Sequence, residues 1–310
     1  MTHKIQLGVC CIINKLRNQK PPIFSSRKMI IRSVKEKGID ALKEKILQNL
    51  RDTLVMLDWL KDNNLNVFRL SSELFPHKTN PKVEDYTYDF AKDLLKQIGQ
   101  KAKDYNIRLT FHPGHFNVVA SPNEEYFQHT IEDLSYHADV LDLMDCGKDS
   151  VMVIHGGGVY GDKEATKKRW CERFQRLPEN VRSRLVLENC EKNFSVQDCL
   201  DVSKETGIPV VFDTHHYTCY SLLHPDETQK PEDYYIPLIL DTWKKRNIKP
   251  KFHISEQGSG KIGHHSNFVE VIPDYLLEIP KKFNISIDIM IEAKNKEEAV
   301  LYLYDKYKDL

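Results

Sequence analysis

Short apolar runs alternate along this chain with longer segments of helical period, the alternation that marks parallel α/β folds. The runs are IQLGVCCII (5–13), NVFRL (66–70), IRLTF (107–111), VMVIH (151–155), RLVLE (184–188), PVVFD (209–213), KFHIS (251–255) and DIMIE (288–292), each expected as a strand. Helical patterns lie between them, clearest over 39–63, 86–105, 124–144, 195–206 and 295–310, with Asn or Ser at cap positions. Eight strand–helix units in 310 residues predict an α/β fold of one (β/α)8 TIM barrel, spanning 1–310 as a single domain. A doubly wound sheet would carry a Gly-rich fingerprint after its first strand, and LGVCCIINKL has none. No linker-like Pro, Gly or Ser stretch, low-complexity tract or sequence repeat divides the chain.

A TIM barrel carries its chemistry at the C-terminal ends of its strands. Here the third strand ends in His112, the fourth in His155, the fifth in Glu188 and the sixth in Asp213, with His216 three residues on. The seventh holds His253, the loop beyond it His264 and His265, and the eighth ends in Glu292. Six consecutive strand ends thus bear His, Asp or Glu, although only 13 of 310 residues are His. Taken singly, each histidine reads as an ordinary core or loop residue. Glu188 and Glu292 follow the apolar runs RLVL and DIMI, where a carboxylate buried without a partner would be costly. Salt bridges to Lys251 or Lys294 would satisfy them but leave the histidines unexplained; a shared metal cluster explains both. Five histidines and three carboxylates exceed the needs of one tetrahedral zinc. They suit two or three divalent ions, bridged by a carboxylate such as Glu188, with Mn²⁺ and Zn²⁺ both compatible. A metallohydrolase and a metal-dependent isomerase both fit, and the spacing alone does not choose.

Composition narrows the setting. With 45 Lys+Arg against 45 Asp+Glu the chain is formally neutral, which excludes a globally basic nucleic-acid coat. Charge is nonetheless uneven: residues 15–51 hold eleven Lys or Arg and three acids. Much of this lies in NKLRNQKPPIFSSRKMIIR, expected as the loop after the first strand, where it would overhang the metal-bearing rim and could track a phosphate backbone. Seven cysteines form no C-x-x-C pair and are odd in number, which points to a reducing compartment. None stands beside an evident base, so Cys190 and Cys199 read as core or loop thiols. The N-terminal apolar run is short and reads as a buried strand, not a signal peptide or membrane span, so an intracellular, soluble protein is expected. His3, His129, His137 and His224 receive no chemistry; the two within 124–144 are expected to be exposed or capping. HGGG (155–158) lacks the G-x-S-x-G elbow of a hydrolase and reads as tight backbone packing near a phosphate.

The motifs together resemble the UV damage endonucleases, relatives of the endonuclease IV group. The resemblance runs through LGVCCIINKLR and PPIFSSR, FRLSSELFPH (68–77), RLTFHPGHF (108–116), EDLSYHADVLDLM (132–144), VIHGGG (153–158) and LVLEN (185–189). It continues in VVFDTHH (210–216), KPKFHISE (249–256), HHSNFV (264–269) and IMIEAKNKEEA (290–299). It implies a barrel with up to three divalent ions, usually Mn²⁺, with Zn²⁺ or Mg²⁺ as alternatives. Such an enzyme cuts damaged double-stranded DNA immediately 5′ to pyrimidine dimers and 6-4 photoproducts, and often at abasic sites. The implied ligands are His112, His155, Glu188, Asp213, His216, His253, His265 and Glu292, the residues already picked out by position, with His265 chosen over His264. Glu188, Lys251 and His77 are the implied catalytic groups. Lys251 would help organise the metal site, with a carboxylated side chain as one form, against a surface or salt-bridged lysine as the plain alternative. His77 would contact a phosphate or shuttle a proton, or merely cap its loop.

Asn14, Arg17, Arg27, His115 and Phe116 are the expected DNA contacts. The family's Gln-Tyr or Gln-Phe pair after HPG is replaced by His115-Phe116, where Phe116 can still wedge into the duplex and His115 can still hydrogen-bond. Val9 and Ile13 likewise depart from the first motif. The expected function is a DNA-repair endonuclease acting as a monomer, with no membrane or protein partner. The alternatives are an abasic-site endonuclease with little photoproduct activity, a sugar-isomerase-like barrel, and a non-enzymatic damage-binding protein with a structural metal.

Overall fold

A computed structural model describes residues 4–308 and 310. Eight strands form: β1 (Ile5–Cys10), β2 (Val67–Arg69), β3 (Arg108–Thr110), β4 (Met152–His155), β5 (Leu185–Glu188), β6 (Val210–Asp213), β7 (Lys251–Ile254) and β8 (Ile287–Ile291). They pair in parallel in the order β3-β2-β1-β8-β7-β6-β5-β4. The ends of this sheet meet through Phe111, whose N–H donates to Val151 O at 3.0 Å and whose carbonyl accepts from Val153 N at 3.0 Å. The sheet therefore curls into a barrel with helices outside it, as the alternating pattern requires.

Each strand matches its apolar run within a few residues. β1 stops at Cys10, earlier than the run 5–13, because Cys11 takes a left-handed backbone (φ 61°) that leaves the ladder. The helices follow local signals. Ser195 and Asp198 form a reciprocal capping box at the start of Val196–Thr206, which ends on left-handed Gly207 (φ 73°). Asn123 caps Glu124–Leu143 by accepting from Tyr126 N at 3.1 Å.

Apolar side chains between strands and helices make the main core, with Trp170, Trp243, Phe127 and Phe212 fully buried in it. The barrel interior differs. Cys10, Val67 and Met290 form a small cluster apart from that core. Met290 has room because position 8 is glycine: a Cβ there would lie 2.8 Å from Met290 Cε. Strand alternation puts Asp288 and Glu292 on the same face as Met290, one layer toward each end. Toward the N-terminal end Arg108 bonds Asp288 at 2.7 Å and Lys249 reaches Asp288 at 2.5 Å, a charged plug beneath the cluster. Charge thus lines a space that TIM barrels usually fill with branched apolar residues.

The basic segment is not a plain loop. Asn14–Arg17 and Ile31–Lys37 are helical. Buried Glu297 accepts from Asn14 N and Lys15 N, both at 2.7 Å, and so fixes the start of the first of these helices from 283 and 282 residues away. Among the described residues no helix is long and apolar enough to cross a membrane.

Candidate active site

Glu188 ends β5 fully buried, with histidines from three other strands or their ends converging on it. Its Oε2 lies 2.9 Å from His112 Nε2 and 3.2 Å from His155 Nε2, and its Oε1 lies 2.7 Å from His253 Nδ1. His216 Nδ1 is 3.8 Å from the same Oε1 and 3.0 Å from Asn189 O. His253 Nδ1 is also 3.3 Å from Glu292 Oε1, and His265 Nε2 is 3.8 Å from Glu292 Oε2. His264 is exposed on the loop, so the geometry places His265 and not His264 at the cluster.

Asp213 is both strand end and helix cap. Its Oδ1 accepts from His216 N at 2.8 Å, starting helix Thr214–Leu223, while its Oδ2 is buried without a partner. Asn189 holds it in place through paired hydrogen bonds to its backbone. Arg69, at the end of β2, donates to Glu292. All eight residues expected as ligands therefore surround one rim. Glu188, His112 and His155 bring ligand atoms within 4.8 Å of one another, as do Glu188, Asp213 and His216, and His112, His253 and Glu292. A fourth such group joins His155 and His216 to Glu191.

The electrostatics follow from this crowding. Burial alone would raise the Glu188 pKa, but His253 and His155 outweigh it and hold the carboxyl well below its usual range. Burial would likewise raise Glu292, and Arg69 and His253 reverse that. Of the rings, burial pushes His112 down to about 4 despite Glu188. His155 goes the other way: burial disfavours its charge, yet Glu188 and Cys190 raise it well above the ordinary value. One carboxylate cannot match two cations whose rings stand 5.3 Å apart. Asp213 is raised by burial, with His216 opposing.

The donor set fits divalent cations. It is rich in imidazole and carboxylate, its ligand atoms converge from six strand ends, and Asp213 Oδ2 and His253 Nε2 are buried with no hydrogen-bond partner among the described residues. Lys251 lies on β7 one layer inside this centre, in register with Asp288. It is fully buried, its Nζ has no hydrogen-bond partner, and burial together with Arg108 pushes its pKa down to about 7. A surface lysine is thereby excluded, and among the described residues no ion pair satisfies it.

The remaining expectations divide. His115 and Phe116 are exposed on the loop after β3, Phe116 at 68%. The His115 ring stands 4.8 Å from that of His155, so this loop borders the cluster. Asn117 pins it, donating to Gly114 O at 3.0 Å and to Asp133 at 2.8 Å. Arg17 is exposed and Asn14 half-buried on the first helix of the basic segment. Arg27 is different: its guanidinium bonds Asp52 at 2.5 Å and Pro22 O at 2.7 Å and stacks 4.0 Å over Phe24. It holds the segment together, and little of it faces outward. His77 stands outside the cluster, with Nε2 2.6 Å from Met29 O and Nδ1 3.2 Å from Asn80 Nδ2.

His137, expected to be exposed or capping, is buried: its Nδ1 is 2.7 Å from Asp133 O and its ring meets Phe111 edge-on at 4.9 Å. Two cysteines do stand beside bases. Cys190 Sγ lies against His155 and accepts from Asn193 N and Phe194 N at 3.3 and 3.2 Å, and Cys219 Sγ is 3.5 Å from His215 Nε2. Both neighbours come from the fold's convergence at the rim or from helical spacing, not from a motif. Arg69, Asn189 and Glu191 also belong to the site without having been singled out. Asn189 lay in the quoted LVLEN motif, and Glu191 three residues past Glu188 offered a further signal.

A barrel whose rim gathers histidines and carboxylates around one buried glutamate defines a class of site able to hold divalent metal. A family model described as UV-endonuclease UvdE matches residues 5–310, and this chain belongs to that family. A protein of Acanthamoeba polyphaga mimivirus is 41% identical over 311 residues, covering 99% of this chain and 92% of its own. The UV-damage endonuclease of Schizosaccharomyces pombe is 36% identical over 98% of this chain, which spans about half (51%) of that relative's length. The crystal structure of SacUVDE superposes with a TM-score of 0.84 at 28% identity, covering 99% of this chain and 100% of that one. Endonuclease IV from Thermus thermophilus shares the fold, with a TM-score of 0.56 at 13% identity over 83% of this chain and 94% of its own.

Proposed function

We propose that the chain acts as one DNA-repair endonuclease domain that incises duplex DNA immediately 5′ to pyrimidine dimers and 6-4 photoproducts, and at abasic sites. The observation that carries this reading is Glu188 enclosed by His112, His155 and His253, with Asp213 and Glu292 adjoining, at the rim of a UV-endonuclease family barrel. His112, His155, Glu188, Asp213, His216, His253, His265 and Glu292 would hold the metal, Mn²⁺ in this reading and up to three ions. When bound, divalent ions supply Lewis-acid charge for activating water and stabilising the leaving 3′-oxygen.

The protein's own part is positional. Asn189 fixes the backbone of Asp213, His216 N holds the Asp213 carboxylate, and Arg69 holds that of Glu292. Lys251 supports the same centre from the barrel interior. Phe116 wedges into the space left by damaged bases and His115 hydrogen-bonds beside it, since a lesion makes unstacking cheap. Asn14, Arg17 and exposed Lys28 follow the phosphate backbone, which makes binding steeply salt-dependent. Arg27 and His77 contribute by holding the basic segment at the rim. A monomer suffices for this footprint, and the work is intracellular, where DNA is.

The second reading, an abasic-site endonuclease with little photoproduct activity, is favoured by one feature, His115 in place of glutamine. Nicking of supercoiled plasmid with Mn²⁺ decides between them: irradiated and abasic DNA should both be cut and untreated DNA spared. Cutting of abasic DNA alone selects the second reading.

A further inference from the structure

The HGGG run after β4 is a packing junction, and what it presents is an aromatic ring. Gly156 lies so close to Phe194 that a Cβ would fall 2.2 Å from the ring. Gly157 (φ 89°) packs on Val118, at 3.2 Å from a built Cβ to Val118 Cγ1, and Gly158 backs onto Tyr160, at 3.5 Å to its Cζ. The loop from His155 is thereby seated on the loop that carries Phe116. A second tie joins them: Arg169 Nε donates to Ala120 O at 2.7 Å, and its guanidinium lies 5.7 Å from the Tyr160 ring. Thr166 donates to Val159 O at 2.8 Å and holds the residue before Tyr160. Tyr160 itself keeps a left-handed backbone (φ 50°), uncommon for a residue with a Cβ, and leaves 48% of its surface open. An exposed, doubly anchored aromatic five residues past His155, on the loop bordering that of Phe116, is arranged to stack.

We propose that Tyr160 is a second base-stacking residue of this site, receiving a nucleobase that has left its stack at the lesion. The proposal rests on the endonuclease reading and deepens it. Stacking on an aromatic face tolerates any base, so one platform serves every pyrimidine lesion and its partners. A tyrosine held on a fixed loop loses little freedom when a base lands on it. Phe116 then fills the gap in the duplex, and Tyr160 gives a displaced base somewhere to rest.

The test uses the full Mn²⁺-loaded chain and a labelled duplex with a single cyclobutane dimer and 2-aminopurine beside it. Tyr160→Ala should raise KM about tenfold, within the range of one base–aromatic stack, with kcat changed by less than about twofold. It should also lose most of the stopped-flow 2-aminopurine signal, while Tyr160→Phe and Tyr160→Trp keep both and melting temperatures stay together. The proposal is overturned if Tyr160→Ala matches the wild type in KM and signal, or if Tyr160→Leu performs as well as Tyr160→Phe, which would make bulk and not stacking the requirement. A wild type that leaves the dimer duplex uncut removes the endonuclease reading and this inference with it.

Discussion

Asn189 and Asp213 hold one another across the ends of two neighbouring strands: Asn189 Nδ2 donates to Asp213 O at 3.0 Å, and Asp213 N donates to Asn189 Oδ1 at 2.9 Å. With Asp213 Oδ1 occupied by His216 N, Oδ2 is left buried and unpartnered on a residue grouped with Glu188 and His216. Asn189→Ala should therefore leave the fold intact and weaken metal binding by about 10- to 100-fold, the usual effect of losing a residue that orients a ligand. Titration calorimetry with Mn²⁺ on the variant and the wild type checks this.

Glu188 should link stability to metal. Ions bound at hundredfold their Kd add about 2.7 kcal/mol to the folded state. The melting temperature of the wild type should rise with Mn²⁺ and fall back on chelation, while Glu188→Gln, which keeps the shape but not the charge, should show neither change. Differential scanning calorimetry with and without chelator reads both.

Arg69 is expected to matter most when metal is absent. Its guanidinium pairs with Glu292 alongside the His253 ring, and both side chains are largely buried. Arg69→Met should cost the metal-free protein about 3 kcal/mol, because a buried carboxylate then loses its partner. Mn²⁺ should restore part of that loss, which urea unfolding with and without the ion would show.

His137 predicts an acid slope in stability from a buried histidine outside the expected ligand set. Burial lowers its pKa in the folded chain, with Asp133 opposing. The unfolded chain therefore takes up the proton first, so this stability is complete above about pH 6.5 and drains away as pH falls toward the folded value. Unfolding of metal-free His137→Phe should show a shallower slope as pH falls below about 6.5, by up to about 1.4 kcal/mol per pH unit. An unchanged slope would place the proton elsewhere.

The rim was legible in the sequence because an apolar run that stops at a His, Asp or Glu marks both a strand and its C-terminal end. Glu188 and Glu292 were the clearest, since burial after RLVL and DIMI demands a partner. Arg69 was not, for it ends VFR as an ordinary strand residue and meets Glu292 from 223 positions away. The helix Asn14–Arg17 was equally hidden: four residues have little helical tendency of their own, and the Glu297 carboxylate that caps them lies near the far end of the chain. Arg27 looked like a free cation until Asp52 and Phe24 were placed around it. Local pattern reports which face is buried, but long-range pairing reports which charges are already taken.

The most direct test of the account is the position of the cut on an end-labelled duplex carrying one cyclobutane dimer, incubated with Mn²⁺ and either the wild type or Glu188→Gln. The account predicts one incision immediately 5′ to the dimer, with 3′-hydroxyl and 5′-phosphate ends, lost in the variant. Cutting elsewhere, cutting retained in the variant, or no cutting by a wild type shown to be metal-loaded would contradict it.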